Sequence, residues 1–202
     1  MLAAPAAARK SDERRQRVFT NPSDIVAAEI AFNRLAQEKG QWTAFRETAA
    51  DDAVMFVPQK VLAQDWLKKR TDPPASVKWQ PLRVYISCNG RLAESTGAWQ
   101  RPDGSQGYFT TIWRLDDKGR WKWVLDHGDA LANPLAASDM VEGHVATCRR
   151  SDRPRDPDAA PPEDESLLWD YDVAPDGGRE VRVRVWDGSA YQKVIDDRVK
   201  AP

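Results

Sequence analysis

The feature that most constrains this chain is a change of period near residue 75. Before it, apolar side chains recur at three- and four-residue spacing. After it they alternate, in four stretches separated by turns too short for a crossover. The stretches are Val77–Cys88, Arg91–Trp99, Gly107–Leu115 and Arg120–His127. Asn89-Gly90, Arg101-Pro102-Asp103-Gly104 and Asp116-Asp117-Lys118-Gly119 divide them. Connections this short join antiparallel neighbours, so the four strands form a meander. Asn89-Gly90 predicts a type I′ hairpin, which needs positive φ at both central positions.

The segment upstream is helical. Asn21 is placed to cap a helix, Pro22 suits its first position, and Asp24 lies where the helix dipole favours an acid. Ile25, Ala28, Phe32, Leu35 and Ala36 share one face, and Gly40 supplies the stop. A shorter helix is expected over Trp42–Ala49, with Trp42, Phe45 and Ala49 on one side. Val54–Val57 reads as a strand ended by Pro58. A third helix over about residues 62–70 must stop before Asp72-Pro73-Pro74. Helices followed by a long meander specify an α+β fold, with helices packed on one face of a curved antiparallel sheet.

Two further segments flank this body of residues 21–148. Residues 149–165 hold four Arg, six Asp or Glu and four Pro, with Ala159 and Ala160 as their only apolar members. Such a composition cannot bury enough surface to fold and predicts an extended linker. Residues 166–202 alternate again, through Leu167–Val173, Glu180–Trp186 and Tyr191–Ile195, with turns at Pro175–Gly178 and Asp187-Gly188. This is a three-stranded meander too small to fold alone, so its apolar face must dock on the body or on a dimer partner. At the other end, Ala6-Ala7-Ala8 has the form of a signal-peptidase site, followed by polar Arg9–Asp12. Residues 1–20 thus read as a signal-peptide remnant of a periplasmic or secreted protein. The alternative is a disordered Ala-rich start on a cytoplasmic one.

Composition narrows the function classes. Over 202 residues, 30 Lys and Arg face 31 Asp and Glu, a net charge of −1 that excludes a globally basic nucleic-acid binder. No apolar run approaches the ~18 residues of a membrane span. Cys88 and Cys148 would close a loop of about 60 residues as a disulfide; otherwise they are buried thiols. They are too isolated for a zinc or redox motif, and with His127 and His144 as the only imidazoles no metal site is expected. Neither a phosphate loop nor a nucleophile elbow occurs, and no cofactor is implied.

Half of the aromatic side chains are tryptophan, 9 of 18. Most are expected to fill a core short of aliphatics, while a few line a cavity for a flat apolar ligand. Trp42, Phe45, Phe56, Trp66, Tyr108, Trp113 and Trp123 are the candidates for that lining. Strict alternation would put Trp121, Trp123, Leu125 and His127 on one face of their strand, with Lys122, Val124 and Asp126 opposite. His127 is the natural proton shuttle, with Asp126 or Asp129 as the carboxyl partner, although neighbours in a strand point apart. The competing reading makes His127 a hydrogen-bonded structural side chain and Asp51 and Asp52 turn residues. His144 belongs to a short edge strand at the surface.

Three segments together carry a family resemblance. Asp24–Arg46, Ala50–Phe56 with its Ala-Asp-Asp-Ala-Val-Met-Phe, and Gly119–His127 opening Gly-Arg-Trp are similar to the nuclear-transport-factor-2-like superfamily, in particular its SnoaL-like branch of small bacterial proteins of unknown function. The resemblance spans about residues 22–130. It implies a cone-shaped fold whose sheet wraps a cavity closed by helices, often dimeric through the outer sheet surface. Its members include isomerases, dehydratases and proteins without known activity, so fold does not fix function. Three functions remain open: an exported binder of a small apolar ligand without strong catalysis, an isomerase- or dehydratase-type enzyme using His127 or a pocket Asp, and an interaction module with a filled cavity. A homodimer is the expected assembly.

Overall fold

The computed structural model describes residues 20–136, 138, 140–149 and 165–201. The signal-peptide reading of the first residues and most of the 149–165 linker therefore lie outside the described residues. Helix α1 (Ser23–Lys39) is followed by α2 (Gln41–Thr48), β1 (Ala49–Phe56), β2 (Lys60–Leu62) and α3 (Ala63–Leu67). Then come the meander strands β3 (Lys78–Ile86), β4 (Leu92–Gln100), β5 (Gln106–Leu115) and β6 (Trp121–Ala130). A short β7 (Glu142–Val145) precedes the tail strands β8 (Leu167–Val173), β9 (Arg179–Trp186) and β10 (Tyr191–Val199). No helix among the described residues is long and apolar enough to cross a membrane.

The body is a seven-stranded sheet in the order β2-β1-β6-β5-β4-β3-β7. The meander β3 to β6 is antiparallel throughout, but β1 joins β6 and β7 joins β3 in parallel, so the sheet is mixed. The segment of β2 and α3 between β1 and the meander carries the chain across, which a tight turn would not allow. On α1 the buried positions are Ile25, Glu29, Phe32 and Ala36, a helical stripe with a carboxylate in its middle. Asn21 Oδ1 accepts the Ser23 N–H at 3.0 Å, as a cap would, although the helix starts one residue later than expected, with Pro22 in the N-cap position.

The Asn89-Gly90 turn departs from expectation. Gly90 has φ of 69° but no non-glycine residue of the described chain has positive φ, so a type I′ turn is excluded. The loop is wider: Ser87 and Leu92 close it by a backbone hydrogen bond, and Asn89 Oδ1 accepts the Arg91 N–H. The neighbouring Cys88 is tied elsewhere. Its sulfur is bonded to that of Cys148, with the Cα atoms 5.0 Å apart, and its N–H donates to Ser166 Oγ. The disulfide thus joins the β3–β4 loop to the segment that follows β7, three residues beyond its end, beside the start of the tail sheet. It closes a loop of 60 residues, for which chain entropy gives stabilisation of about 4 kcal/mol. Cys88→Ser should lower the unfolding free energy by roughly 2–4 kcal/mol in urea titration. A loss under about 0.5 kcal/mol would show that the bond constrains little.

The three tail strands form their own antiparallel sheet, β10-β9-β8, which lies on the body. Leu167, Val181, Val183, Val185 and Ile195 pack against Ile112, Val124 and Leu125 of the body sheet. The outer sheet surface is therefore covered by the chain's own tail. On the tail, Arg182 and Arg184 lie among Asp170, Asp172 and Glu180 in a ladder of ion pairs. Partly exposed pairs of this kind keep a surface solvated more than they stabilise it.

Candidate functional site

Strand β6 holds an irregularity that decides the site. Ile112 pairs with Leu125 but Trp113 pairs with Trp123, so Val124 has no partner and the strand bulges there. The extra residue reverses the alternation. Trp121 and Trp123 face the helices, whereas Leu125 faces the tail sheet. Beyond the bulge Asp126 is turned to the helix side and His127 to the tail side, which corrects the expectation that Trp121, Trp123, Leu125 and His127 share a face.

On the helix side, α1, α2, α3 and the sheet enclose a cavity of about 520 Å³. Trp42, Phe45, Phe56 and Trp66 line it, as do Trp79, Trp99 and Phe109, which sequence reasoning had not singled out. The rings meet edge to face: Trp42 and Trp66 at 5.0 Å, Phe32 and Trp79 at 4.7 Å, Phe32 and Phe45 at 4.8 Å. The other three lining candidates are elsewhere. Trp113 and Trp123 are wholly buried in the core behind the wall, and Tyr108 points to the opposite face of β5 against His127.

Glu29 anchors that core. Its carboxylate accepts hydrogen bonds from Ser95 Oγ at 2.6 Å, Trp113 Nε1 at 3.0 Å and Trp79 Nε1 at 2.9 Å. Burial raises its pKa, and the three donors oppose the rise. Two tryptophans are thereby fixed by their polar ends as well as by packing. Trp123 is held likewise, through Thr48 Oγ1 at 3.0 Å.

Asp126 is the carboxyl of the cavity. It is half-buried, lies in the wall beside Thr111 and accepts the Thr111 hydroxyl at 2.8 Å. Burial among apolar groups pushes its pKa up to about 7; the Thr111 hydrogen bond lowers it and the charge of Glu29 adds to the rise. Such a group holds or gives up a proton near neutral pH. The bulge is the reason that this acid stands on the apolar, helix-facing side of its strand.

The other two acid/base candidates are placed differently. The His127 ring has no exposed surface; its Nε2 lies 3.0 Å from Asp197 Oδ2, on β10 of the tail. With a carboxylate as acceptor the neutral ring carries its proton on Nε2. Its Nδ1 is buried without a hydrogen-bond partner among the described residues, and burial lowers the ring's pKa. Thr110 Oγ1 donates to the same Asp197 oxygen at 2.8 Å. This side chain joins the tail to the body, and Asp126 and His127 form no dyad. Asp129 is exposed at the rim of the cavity. His144 is exposed and stacks on Tyr85, and Asp52 pairs with Arg114 at the surface.

The tail also reaches the cavity. Arg179, the first residue of β9, lines it, with Nη1 and Nη2 donating to the Pro58 and Gly128 carbonyls and the guanidinium 4.9 Å from the Phe56 ring centre. Gly128 and Gly97 flank Phe109 across the sheet, and a Cβ on Gly128 would stand 2.1 Å from the Tyr108 carbonyl oxygen. No other residue fits so close an approach. Among the described residues no group of three or more His, Cys, Asp or Glu side chains is placed to hold a metal.

No family model and no curated protein matches this chain. Solved structures do match. One is a protein of Parabacteroides distasonis provisionally described as a ketosteroid isomerase, at 17% identity over 59% of this chain and 95% of that one, with a TM-score of 0.44. A ketosteroid isomerase-like protein of Erwinia carotovora atroseptica matches at 13% identity over 57% of this chain and 100% of that one, TM-score 0.44. A nuclear-transport-factor-2-like protein of unknown function from Methylobacillus flagellatus matches at 16% identity, over 57% and 98%, TM-score 0.43. This chain has helices on a large mixed sheet, with a three-stranded sheet in addition. Similarity of this degree assigns no activity.

Proposed function

We propose that the cavity binds a flat, mainly apolar small molecule and that Asp126 exchanges a proton with it, as an isomerase or dehydratase would. One observation carries this reading: a carboxyl whose pKa stands near 7 in the wall of an aromatic cavity of about 520 Å³. The carboxylate takes a proton from carbon beside a carbonyl, and the resulting acid returns it to the same or a conjugated carbon. No net oxidation is involved. Trp42, Trp66 and Gln41, all in the lining, carry side-chain N–H donors of the kind a carbonyl oxygen accepts from.

The probe is 2-tetralone, a flat bicyclic ketone with acidic C–H groups beside its carbonyl. Deuterium uptake from heavy water, followed by NMR, should run faster with the protein than in buffer and rise with pH through about 7. Quenching of tryptophan fluorescence reports binding in the same samples. Quenching without accelerated uptake would leave the second reading, a binder without strong catalysis. The absence of both would remove the cavity from the function. The Cys88–Cys148 bond supports an oxidising compartment, periplasmic or extracellular. The homodimer implied by the family has no place on the outer sheet face, which the tail occupies.

A further inference from the structure

Arg179 stands out among the charged groups of the cavity. It is only 9% exposed, yet among the described residues it makes no ion pair. Its hydrogen bonds go to two backbone carbonyls, and its Nε is buried with no partner. Asp129, Asp197 and Tyr108 act on it through space only, and burial lowers its pKa from the usual guanidinium range. Burying a cation is costly unless an anion or a full set of acceptors compensates it. Two carbonyls and the face of Phe56 compensate part of that cost. Three of the five guanidinium N–H donors are left over, one on Nε and one on each Nη, on a residue of the cavity wall.

We infer that the ligand of this cavity is an acid: an aromatic or polycyclic carboxylate whose anionic group is held by Arg179. The inference rests on the reading of the cavity as a small-molecule site and names the class of molecule. Arg179 holds Gly128, two residues beyond Asp126 on the same strand, so the anion lies about 7 Å from the Asp126 position along the sheet. A two-ring skeleton spans that distance, with one end on Arg179 and its reactive carbon beside Asp126. Arg101, stacked on Trp99 at 4.5 Å, adds a second cation at the exposed rim, where it draws an anion towards the opening. The appended tail sheet is then part of the site. It brings Arg179 to the cavity and fastens itself to the body through His127 and Asp197.

The test compares 2-naphthoate with 2-naphthamide, which differ in charge and little in shape, by quenching of tryptophan fluorescence at pH 6 and low salt. The acid should bind at least about tenfold more tightly than the amide, as a charge-assisted guanidinium pair requires. Arg179→Gln should bring the ratio close to one, and Arg179→Lys should restore part of it. If the amide binds and the acid binds no better, the acid assignment is overturned and Arg179 is a structural strut, while the cavity reading stands. If neither quenches at millimolar concentration, the cavity reading fails and the assignment with it. Should Arg179→Gln not fold, the wild-type ratio decides, since it needs no variant.

Discussion

Asp126→Asn should reduce deuterium uptake by 2-tetralone by roughly 10²–10⁴-fold, the range over which a positioned general base contributes. The amide keeps the size of the side chain and an oxygen for the Thr111 hydroxyl at 2.8 Å, but it cannot take a proton. Tryptophan quenching by the same ketone should persist, which separates chemistry from binding. Uptake within about threefold of wild type would remove Asp126 from the reaction.

The same variant should be more stable than the wild type in alkali. The Asp126 carboxyl goes from an ordinary value of 3.8 to about 7 on folding, through burial. Its uncharged form is the one the fold accommodates. The stability this contributes is present in full below 3.8 and is lost as pH climbs to about 7. An amide suffers no such loss. Melting curves of Asp126→Asn and wild type should therefore coincide near pH 4. By pH 8 they should separate by at least ~1 kcal/mol, or about 2–4 °C for a chain of this length. Glu29 and Glu94 are also raised by burial, so both proteins lose further stability as pH rises and only the difference between them reports Asp126. A variant less stable than wild type at pH 8 would mean that the carboxylate is well accommodated in the cavity. A stabilising replacement that abolishes turnover is the pattern expected where a site retains an unfavourable group for its chemistry.

Glu29→Ala has the largest expected effect on stability. It removes the acceptor of two indole N–H groups and of the Ser95 hydroxyl, all within the core. Trp113 Nε1 keeps Ser95 Oγ as acceptor at 2.9 Å; Trp79 and the Ser95 hydroxyl lose theirs, at about 1–3 kcal/mol each, with a cavity cost besides. A total loss of roughly 3–5 kcal/mol would lower the melting temperature by about 10 °C or more. That is a large part of the stability of any domain. Glu29→Gln should recover only part of it, because the amide NH₂ would face an N–H donor. A loss under about 1 kcal/mol for Glu29→Ala would show that Trp79 and Trp113 are held by packing alone.

The sequence made much of this architecture legible. Ile25, Phe32 and Ala36 mark the buried face of α1, and the turns at Arg101–Gly104 and Asp116–Gly119 divide the meander where the strands end. Trp42, Phe45, Phe56 and Trp66 were recognisable as potential lining from their position on the short helices and the first strand. Glu29 left a signal that went unread: a carboxylate four residues after Ile25 and three before Phe32, in an otherwise apolar stripe. Trp79 and Phe109 needed strand pairing to place them. Arg179 left no signal, because nothing near residue 179 in the chain says which surface β9 will cover.

By itself the sequence determined the elements and their order, since helical period, alternation and turn residues act between neighbours a few positions apart. Which side chains meet was decided by the tertiary structure. One unpartnered residue, Val124, turns Asp126 to the helix side and His127 to the tail side. Periodicity cannot show such a bulge, because it is set by pairing with a strand that must also bury Trp113. The His127–Asp197 and Arg179–Gly128 contacts join residues 70 and 51 positions apart. They exist only because the tail sheet must bury its apolar face and finds the outer surface of the body on which to do so.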